Sequence, residues 1–149
     1  MEFVGNAHHI LQAKGTEVWT VGPEVMVLDA VRLMGEKNIG ALVVVEGEEV
    51  LGVISERDYS RKIVLQDRTS RDTRVHEVLS KPAIVVQPES SIAECMELMT
   101  AKRVRHLPVV EEGRLIGIIS IGDLVSWIIR SQREAIQQLE GYISGQYPG

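Results

Sequence analysis

The chain has 149 residues, of which 44% are apolar, and its formal net charge is −5 at pH 7. This length and composition indicate one compact unit with a buried core and exclude a wholly disordered chain. The acidic charge argues against binding to nucleic acid, and the richest apolar stretch, 115–129, is too short to span a membrane. The lone cysteine, Cys95, cannot form an internal disulfide, which favours a location in the reducing cytoplasm.

Local patterns in the first half of the chain predict strands and helices in alternation. Runs of β-branched residues bounded by proline or by polar turns with glycine indicate strands. Apolar residues at spacings of three and four indicate helices. The predicted elements are, in chain order, a strand at 17–21, a helix from Val27 to Met34, a hairpin of strands at 41–45 and 50–54, and a helix that begins near Asp58.

The second half of the chain repeats the first half without a gap. When the sequence is shifted by 65 positions, residues 16–59 fall on 81–124, and 14 of the 44 aligned positions are identical. The same β-α-β-β-α order is therefore predicted again, with strands at 83–87, 107–110 and 115–119. A unit of about 50 residues is small for a stable fold, so we expect two units that share one core.

A polar segment separates the two units, and a helical pattern follows the second one. The connection at 66–74 is charged and is expected on the surface. Apolar residues recur every three or four positions over 124–143, which predicts one long helix. We therefore divide the chain into a first unit at 10–65, the connection, a second unit at 75–130, and a helical extension with a tail at 131–149.

Each unit ends in the motif Gly-apolar-apolar-Ser-x-x-Asp, at 52–58 and at 117–123. The carboxylate at the end of this motif can accept hydrogen bonds from two neighbouring ribose hydroxyls. The same Ser-x-x-Asp spacing also forms a helix-capping box, in which the helix dipole favours the aspartate. Both roles stay open for Asp58 and Asp123, and they can coexist because N–H groups at a helix start also suit a phosphate.

A basic cluster lies on this acidic chain just before the second unit's hairpin. Its members are Lys102, Arg103, Arg105 and His106. Arginine can donate two parallel hydrogen bonds to a phosphate, whereas the alternative is a solvated surface that pairs with nearby glutamates. At the positions that match Arg103, Arg105 and His106, the first unit has uncharged residues, so the two potential sites are not equivalent. Those residues are Asn38, Gly40 and Ala41.

Two further residues are open to a structural and to a functional interpretation. Arg57 of the first motif is replaced by Gly122 in the second, and it either reaches a phosphate or covers the helix start. Thr20 lies in a predicted strand, where threonine is a common β-former, so a ligand contact and a purely structural role are both open.

The remaining reactive and aromatic residues predict no catalytic site. The adjacent His8 and His9 offer too few ligands for a metal, and Cys95 falls on an apolar helix face, as a core residue would. Trp127 and Tyr142 lie on the long helix, where packing is favoured over base stacking. The sequence contains no nucleophile elbow, Walker loop or recognisable catalytic triad, so we predict that the protein is not an enzyme.

The two ordered motifs resemble the cystathionine-β-synthase (CBS) domain pair, also called a Bateman module. The resemblance is carried by 52–58 and 117–123, by 105–110, and by the Val-x-Pro pieces that start at Val21 and Val86. It implies an α/β (α+β) fold in which tandem β-α-β-β-α repeats pack as a pseudo-two-fold pair, with a long C-terminal helix. More narrowly, the chain is similar to small stand-alone bacterial CBS-pair proteins.

The resemblance also implies a cleft between the motifs that binds an adenine nucleotide. In the family, the Ser-x-x-Asp aspartate holds the ribose, the first strand surrounds the adenine, and basic residues before the Leu-Pro strand meet the phosphates. The expected ligand is AMP, ATP or NAD, with S-adenosylmethionine as a further candidate, and neither a catalytic cofactor nor a metal is implied. The residues expected at the nucleotide site are Thr20, Val21, Gly40, Ala41, Ser55, Arg57, Asp58, Val85, Val86, Pro88, Arg103, Arg105, His106, Leu107, Pro108, Ser120 and Asp123.

The resemblance predicts a regulatory module that senses the energy or redox state of the cell and acts in trans on an unidentified partner. One alternative is a dimerisation or interaction module with no physiological nucleotide. A second alternative, a small enzyme acting on nucleotides, is disfavoured because catalytic groups are missing. The final helices carry more apolar residues than one sheet can cover, including Ile63, Trp127 and Ile128, so we expect a homodimer.

Overall fold

The computed structural model describes residues 3–79 and 83–143, so the predicted tail at 144–149 and the side chain of Tyr142 lie outside the described residues. The chain has the mixed α/β architecture that the repeat predicts, and it ends in a long helix. In chain order, the elements are α1 (Ala7–Lys14), β1 (Thr20–Val21), α2 (Val27–Lys37), β2 (Ala41–Glu46), β3 (Glu49–Ser55), α3 (Glu56–Asp58) with a π-helical continuation (Tyr59–Val64), a 3₁₀ turn (Val75–Glu77), α4 (Ile92–Lys102), β4 (His106–Glu111), β5 (Arg114–Ser120) and α5 (Ile121–Ile143).

Each repeat is built on an antiparallel hairpin, β2–β3 in the first and β4–β5 in the second. The two hairpins carry a bulge at the same point, between Val44 and Val45 and between Val109 and Val110. The two repeats therefore share even this irregularity of the backbone. As a result, the two Ser-x-x-Asp motifs lie at equivalent ends of β3 and β5.

The first strand of each repeat is shorter than predicted. In the first repeat, only Thr20–Val21 pairs with β2, in parallel, and Val43 N–H also donates to Trp19 O at 3.1 Å. In the second repeat, the predicted strand at 83–87 is reduced to one bridge between Val86 and Val109. The reason is Pro108, which occupies the position of Val43 and has no N–H to donate.

The segments that precede the aligned repeats, 16–59 and 81–124, are exchanged between them. Helix α1 comes before the first repeat, yet its Ile10 and Leu11 are buried in the hydrophobic core of the second repeat. Val75 and Val78 come before the second repeat and are buried in the core of the first. Ile10 and Val75 are 65 positions apart, so this exchange follows the same pseudo-two-fold relation as the hairpins.

The glycine of the second motif makes room for α1. A Cβ atom at Gly117 would lie 2.7 Å from Cδ2 of Leu11, closer than van der Waals contact allows. The missing side chain at this position therefore lets α1 pack directly on β5.

The connection at 66–74 lies mostly on the surface, as predicted, but it also caps a helix. Val27 N–H donates to Thr73 O at 2.8 Å and Leu28 N–H donates to Ser70 O at 2.9 Å. Met26, the N-cap residue of α2, offers no side-chain acceptor, so carbonyl groups of the connection satisfy these first-turn donors. Thr73 is buried, and its hydroxyl donates to Thr69 O at 2.7 Å.

Helix α5 anchors the N-terminal segment and leaves an apolar face uncovered. Trp127 Nε1 donates to Val4 O at 2.7 Å, and the indole ring stacks on His9 with 6.1 Å between ring centroids. The prediction that Trp127 packs against protein is confirmed. Other large apolar side chains of α5 are exposed, namely Ile121, Val125, Ile129, Ile136 and Leu139.

Candidate functional site

Two clefts lie between the repeats and are related by the same pseudo-two-fold symmetry. The first, of about 560 Å³, joins the Ser-x-x-Asp motif at Ser55 to the segment before β4, with Ile84 on its wall. The second, of about 360 Å³, joins the motif at Ser120 to the segment before β2, with Trp19 on its wall. Because each cleft combines the motif of one repeat with the other repeat's strand region, neither repeat holds a complete site.

At the first cleft, the Ser-x-x-Asp motif forms the capping box that was one of the two predicted roles. Asp58 N–H donates to Ser55 Oγ at 3.2 Å, and Ser55 N–H donates to Asp58 Oδ2 at 3.0 Å. The second carboxylate oxygen, Oδ1, lies 3.6 Å from Lys62 Nζ. Capping therefore uses one oxygen of Asp58, and the other is placed among the cations of the cleft.

The helix that follows Asp58 changes its winding and thereby brings further cations to the cleft. Beyond α3 the backbone is π-helical, with Leu65 N–H donating to Ser60 O at 3.1 Å. Arg57, Arg61 and Lys62 all line the first cleft, at spacings of four and five residues. This is the spacing of one face on a helix that passes from α- to π-winding, and π-turns often occur at functional sites.

The opposite wall of the first cleft is the predicted basic cluster, Lys102, Arg103, Arg105 and His106. Arg103 ends α4 in a left-handed conformation, with φ at 56°. The equivalent residue of the first repeat, Asn38, has φ at 55°. Asparagine tolerates this conformation, whereas it costs most other residues roughly 1–2 kcal/mol. The second repeat thus has an unfavourable residue at this position, and that residue puts a positive charge on the cleft.

The cations that line the first cleft outnumber its two carboxylates, Glu56 and Asp58. In the part of the chain that the structure describes, five of them form no ion pair with a carboxylate, so the surface-pairing interpretation is not supported. These five are Arg57, Arg61, Lys102, Arg103 and Arg105. The neighbouring charge of Arg61 is the main cause that lowers the pKa of the Arg57 guanidinium, and Arg105 adds to it. The cleft therefore has the electrostatics of an anion-binding site.

The second cleft differs because a lysine from α1 occupies its motif. Lys14 Nζ lies 2.8 Å from Asp123 Oδ2 and donates to Ile118 O at 2.9 Å. Ser120 N–H donates to the same carboxylate oxygen at 2.8 Å. Burial alone would raise the pKa of Asp123, but the hydrogen bonds from Lys14 and from Ser120 outweigh burial and lower it. The carboxylate is therefore held ionised within the protein.

His106 and Gly40 separate the two clefts, and both residues line each of them. A Cβ atom at Gly40 would lie 3.9 Å from His106 Nε2, so the imidazole rests against the backbone of the other repeat. Burial is the main cause that lowers the pKa of His106, while the charges of Asp123 and Asp58 oppose this effect. The imidazole is thus held neutral between two carboxylates.

Most residues predicted for the nucleotide site lie either on a cleft wall or in the core. The first cleft holds Gly40, Ser55, Arg57, Asp58, Arg103, Arg105 and His106. The second holds Gly40, Ala41, His106 and Ser120, with Asp123 bonded to Lys14 at its wall. The side chains of Val86, Pro88, Leu107 and Pro108 are buried and line neither cleft.

The first-strand residues that line the clefts differ from those that the sequence pointed to. Trp19 and Ile84 line the clefts, whereas Thr20, Val21 and Val85 do not. Adjacent residues of extended backbone point to opposite sides, which explains how a shift of one position moves a side chain off the cleft.

Sequence reasoning also missed several cleft residues. Helical spacing could have found Arg61, which lies four residues after Arg57. No motif pointed to Lys14, because it reaches the second cleft only through the exchange of α1 between the repeats. No group of three or more His, Cys, Asp or Glu residues in the described ranges, 3–79 and 83–143, is placed to hold a metal ion.

The chain is similar to known proteins and to solved structures. It is 41% identical over 140 residues to the mitochondrial CBS domain-containing protein CBSX3 of Arabidopsis thaliana, a match that covers 91% of this chain and 68% of the relative. A CBS-domain protein of Burkholderia ambifaria superposes with a TM-score of 0.80 at 50% identity, covering 85% of this chain and 96% of that one.

Two further solved structures share the fold and bear on ligands and assembly. One is a CBS domain pair in complex with 5′-methylthioadenosine and S-adenosylmethionine, with a TM-score of 0.72 at 17% identity over 83% of this chain and 95% of that one. The other is a hexameric CBS-CP12 protein from bloom-forming cyanobacteria, with a TM-score of 0.72 at 31% identity over 84% of this chain and 71% of that one.

The sequence profile of the CBS domain matches this chain twice, at 14–65 and at 75–130. No helix within the described residues is long and apolar enough to cross a membrane. The two profile matches, the internal repeat and the structural neighbours agree with each other. The chain belongs to the CBS domain family, whose members are regulatory modules, and it contains a tandem pair of CBS repeats.

Proposed function

We propose that this CBS pair binds an adenine nucleotide in the first cleft and transmits its presence to a partner protein in trans. The observation that carries the proposal is the position of Asp58. Its Oδ1 lies outside the helix cap, 3.6 Å from Lys62 Nζ, in a cleft whose other cations form no ion pair within the described residues. A neighbour of the same fold in complex with two adenosine compounds supports the choice of adenosine as the ligand class.

The chemistry of the cleft suits each part of such a ligand. Asp58 Oδ1 can accept hydrogen bonds from ribose hydroxyls while Oδ2 stays in the helix cap. Val53, Ile84 and Val104 provide apolar wall for a base. The guanidinium groups of Arg57 and Arg105 can donate paired hydrogen bonds to phosphate oxygens. We propose no catalytic cofactor, since this division of roles describes binding and not reaction.

The alternative, an interaction module with no physiological nucleotide, accounts less well for the charge of the cleft. Like charges that face each other without counterions destabilise a fold, and the proposed ligand would remove that repulsion. A module that served only for association would gain nothing from Arg103 and Arg105, which form no ion pair within the described residues. The cytoplasmic location, the energy- or redox-sensing role and the boundaries at 10–65 and 75–130 stay predictions from the sequence.

Binding of the nucleotide can be tested with the full-length chain freed of bound small molecules. We expect isothermal calorimetry to show binding of at least one of AMP, ATP, NAD and S-adenosylmethionine. Asp58→Asn should weaken that binding by roughly 1.5–3 kcal/mol, because a charge-assisted hydrogen bond is lost. Ser91 lines neither cleft, and Ser91→Ala removes the hydroxyl that caps α4, so it serves as the control for the loss of a helix cap. A folded sample that binds none of the four compounds would refute the proposal.

We also propose that two copies associate through the exposed apolar face of α5. The face comprises Ile121, Val125, Ile129, Ile136 and Leu139. An uncovered apolar stripe of this length normally marks an interface, and a two-fold dimer is the commonest assembly of one chain type. Sedimentation should give twice the monomer mass, and Val125→Glu with Ile129→Glu should shift it to the monomer. A monomeric wild type at micromolar concentration would contradict the dimer.

A further inference from the structure

The first cleft carries more positive charge than a single phosphate group can neutralise. Six cationic side chains line it, against the two carboxylates of Glu56 and Asp58. The net charge of the lining is therefore +4. Asp58 is already engaged by the backbone N–H of Ser55 and by Lys62. A phosphate monoester carries about two negative charges at pH 7, so one such group neutralises only about half of this excess.

The cations also stand on two separate walls of the cleft. Arg57 and Arg61 belong to the helix that follows β3, and Arg103 and Arg105 belong to the segment between α4 and β4. The charges of Arg105 and Arg103 act on Arg57 across the cleft. Each guanidinium offers a planar fork of donors. One phosphate group presents all of its oxygens at a single point of the cleft. A chain of phosphates can reach from one wall to the other.

Arg103, the residue that ends α4, also supports a ligand with several negative charges. Arg103 has the same left-handed conformation as Asn38, its equivalent in the first repeat. Among the described residues, the arginines of the first cleft have no counterparts on the wall of the second cleft. An arginine at this position is unfavourable for the fold, and its side chain forms no ion pair within the described part of the protein. Such a residue is explained if its cation is used by a ligand.

We infer that the first cleft selects adenosine ligands that carry a chain of two or more phosphates with a free end, such as ADP and ATP. The inference rests on the proposed function and names the ligand class of that same site. AMP has a single phosphate to offer to the two walls. S-adenosylmethionine carries a sulfonium cation, which the six cationic side chains repel.

A calorimetric series on the nucleotide-free, full-length protein tests the inference. Adenosine, AMP, ADP, ATP, NAD and S-adenosylmethionine are titrated at one ionic strength. We expect ADP to bind at least about tenfold more tightly than AMP, since each added charge-assisted contact contributes that much. S-adenosylmethionine should bind no better than adenosine. AMP binding as tightly as ADP would overturn the inference and leave the proposed function standing, whereas no binding by any compound would overturn the proposed function itself.

The variant Arg103→Asn separates ligand binding from folding. It restores the residue of the first repeat at a left-handed position, so we expect thermal stability to be kept or raised. The affinity for ADP should nevertheless fall about tenfold, while the affinity for adenosine changes by less than about twofold. Arg71→Asn removes the same charge from an exposed site outside both clefts and is the control. Unchanged ADP affinity in Arg103→Asn, or an equal loss in Arg71→Asn, would contradict the inference.

Discussion

Lys14 Nζ lies 2.8 Å from Asp123 Oδ2, so the ribose-binding candidate of the second cleft is bonded to a residue of its own chain. The first cleft has no such lysine, because the position 65 residues after Lys14 is Leu79, which is buried in the core of the first repeat. Within the described residues, Asp58 forms its ion pair with Lys62, four residues further along the chain, at the longer distance of 3.6 Å. The two clefts therefore differ in the availability of the carboxylate as well as in charge.

Replacing Lys14 should open the second cleft. In Lys14→Ala, the carboxylate of Asp123 loses its ion pair, and we expect calorimetric stoichiometry with adenosine to rise from one site to two per chain. The cost to stability should be at most about 1 kcal/mol, because the pair is partly exposed. Gln12→Ala, an exposed change on the same helix, is the control. A stoichiometry that stays at one would show that Lys14 does not obstruct the site.

His106 should make the stability of the protein depend on pH below its ordinary pKa of 6.5. Because burial lowers its pKa in the folded state, the unfolded chain takes up a proton first, and stability is lost as pH falls below 6.5. The contribution of Asp123, whose pKa is also lowered, is lost only below its ordinary 3.8. Urea unfolding at pH 7 and pH 5 should therefore show a smaller difference for His106→Gln than for wild type. His8→Gln, on the exposed face of α1, should behave like wild type, and an unaltered pH dependence in His106→Gln would refute the assignment.

Cys95 should be unreactive in the folded protein. Its side chain is fully buried in the core of the second repeat, and burial raises the pKa of the thiol to about 11. At pH 8 only about a thousandth of the thiol is ionised, so a thiol-reactive disulfide reagent should modify it only after unfolding. The labelling rate should then rise along the same urea curve as the loss of helical circular dichroism. Rapid labelling in the absence of urea would show that this core opens readily.

The contact between Gly117 and Leu11 tests the exchange of α1 between the repeats. Gly117→Ala places a methyl group 2.7 Å from Cδ2 of Leu11 and should destabilise the protein by about 1–3 kcal/mol. Leu11→Ala alone leaves a cavity, and the double variant should lose less stability than the sum of the two single losses. Gly22→Ala, where a Cβ meets nothing within 4 Å, is the control. Strict additivity in urea unfolding would mean that α1 does not pack on β5 in solution.

The repeat predicted the hairpins and the pseudo-two-fold arrangement because both follow from local pattern and internal symmetry. The grouping of residues in the clefts could not be predicted in the same way. Arg105 and Asp123 are close in sequence, yet Arg105 lines the cleft that contains Asp58. Which motif meets which basic segment depends on how the two sheets pack, and periodicity within one repeat carries no information on that. The position of α1 was unpredictable for the same reason, since its apolar residues would suit either core.

The exchange of segments also sets the order in which the chain can mature during synthesis. Among the elements described, helix α1 leaves the ribosome before the others, but β4, β5 and the start of α5, against which it packs, are made about a hundred residues later. The first repeat, in contrast, has its whole core once Val75–Leu79 has emerged. The nascent first repeat can therefore close early while Ile10 and Leu11 are still exposed to the cell. The earliest helix to be made is the last to be docked, and Lys14 reaches the second cleft only when translation of both repeats is complete.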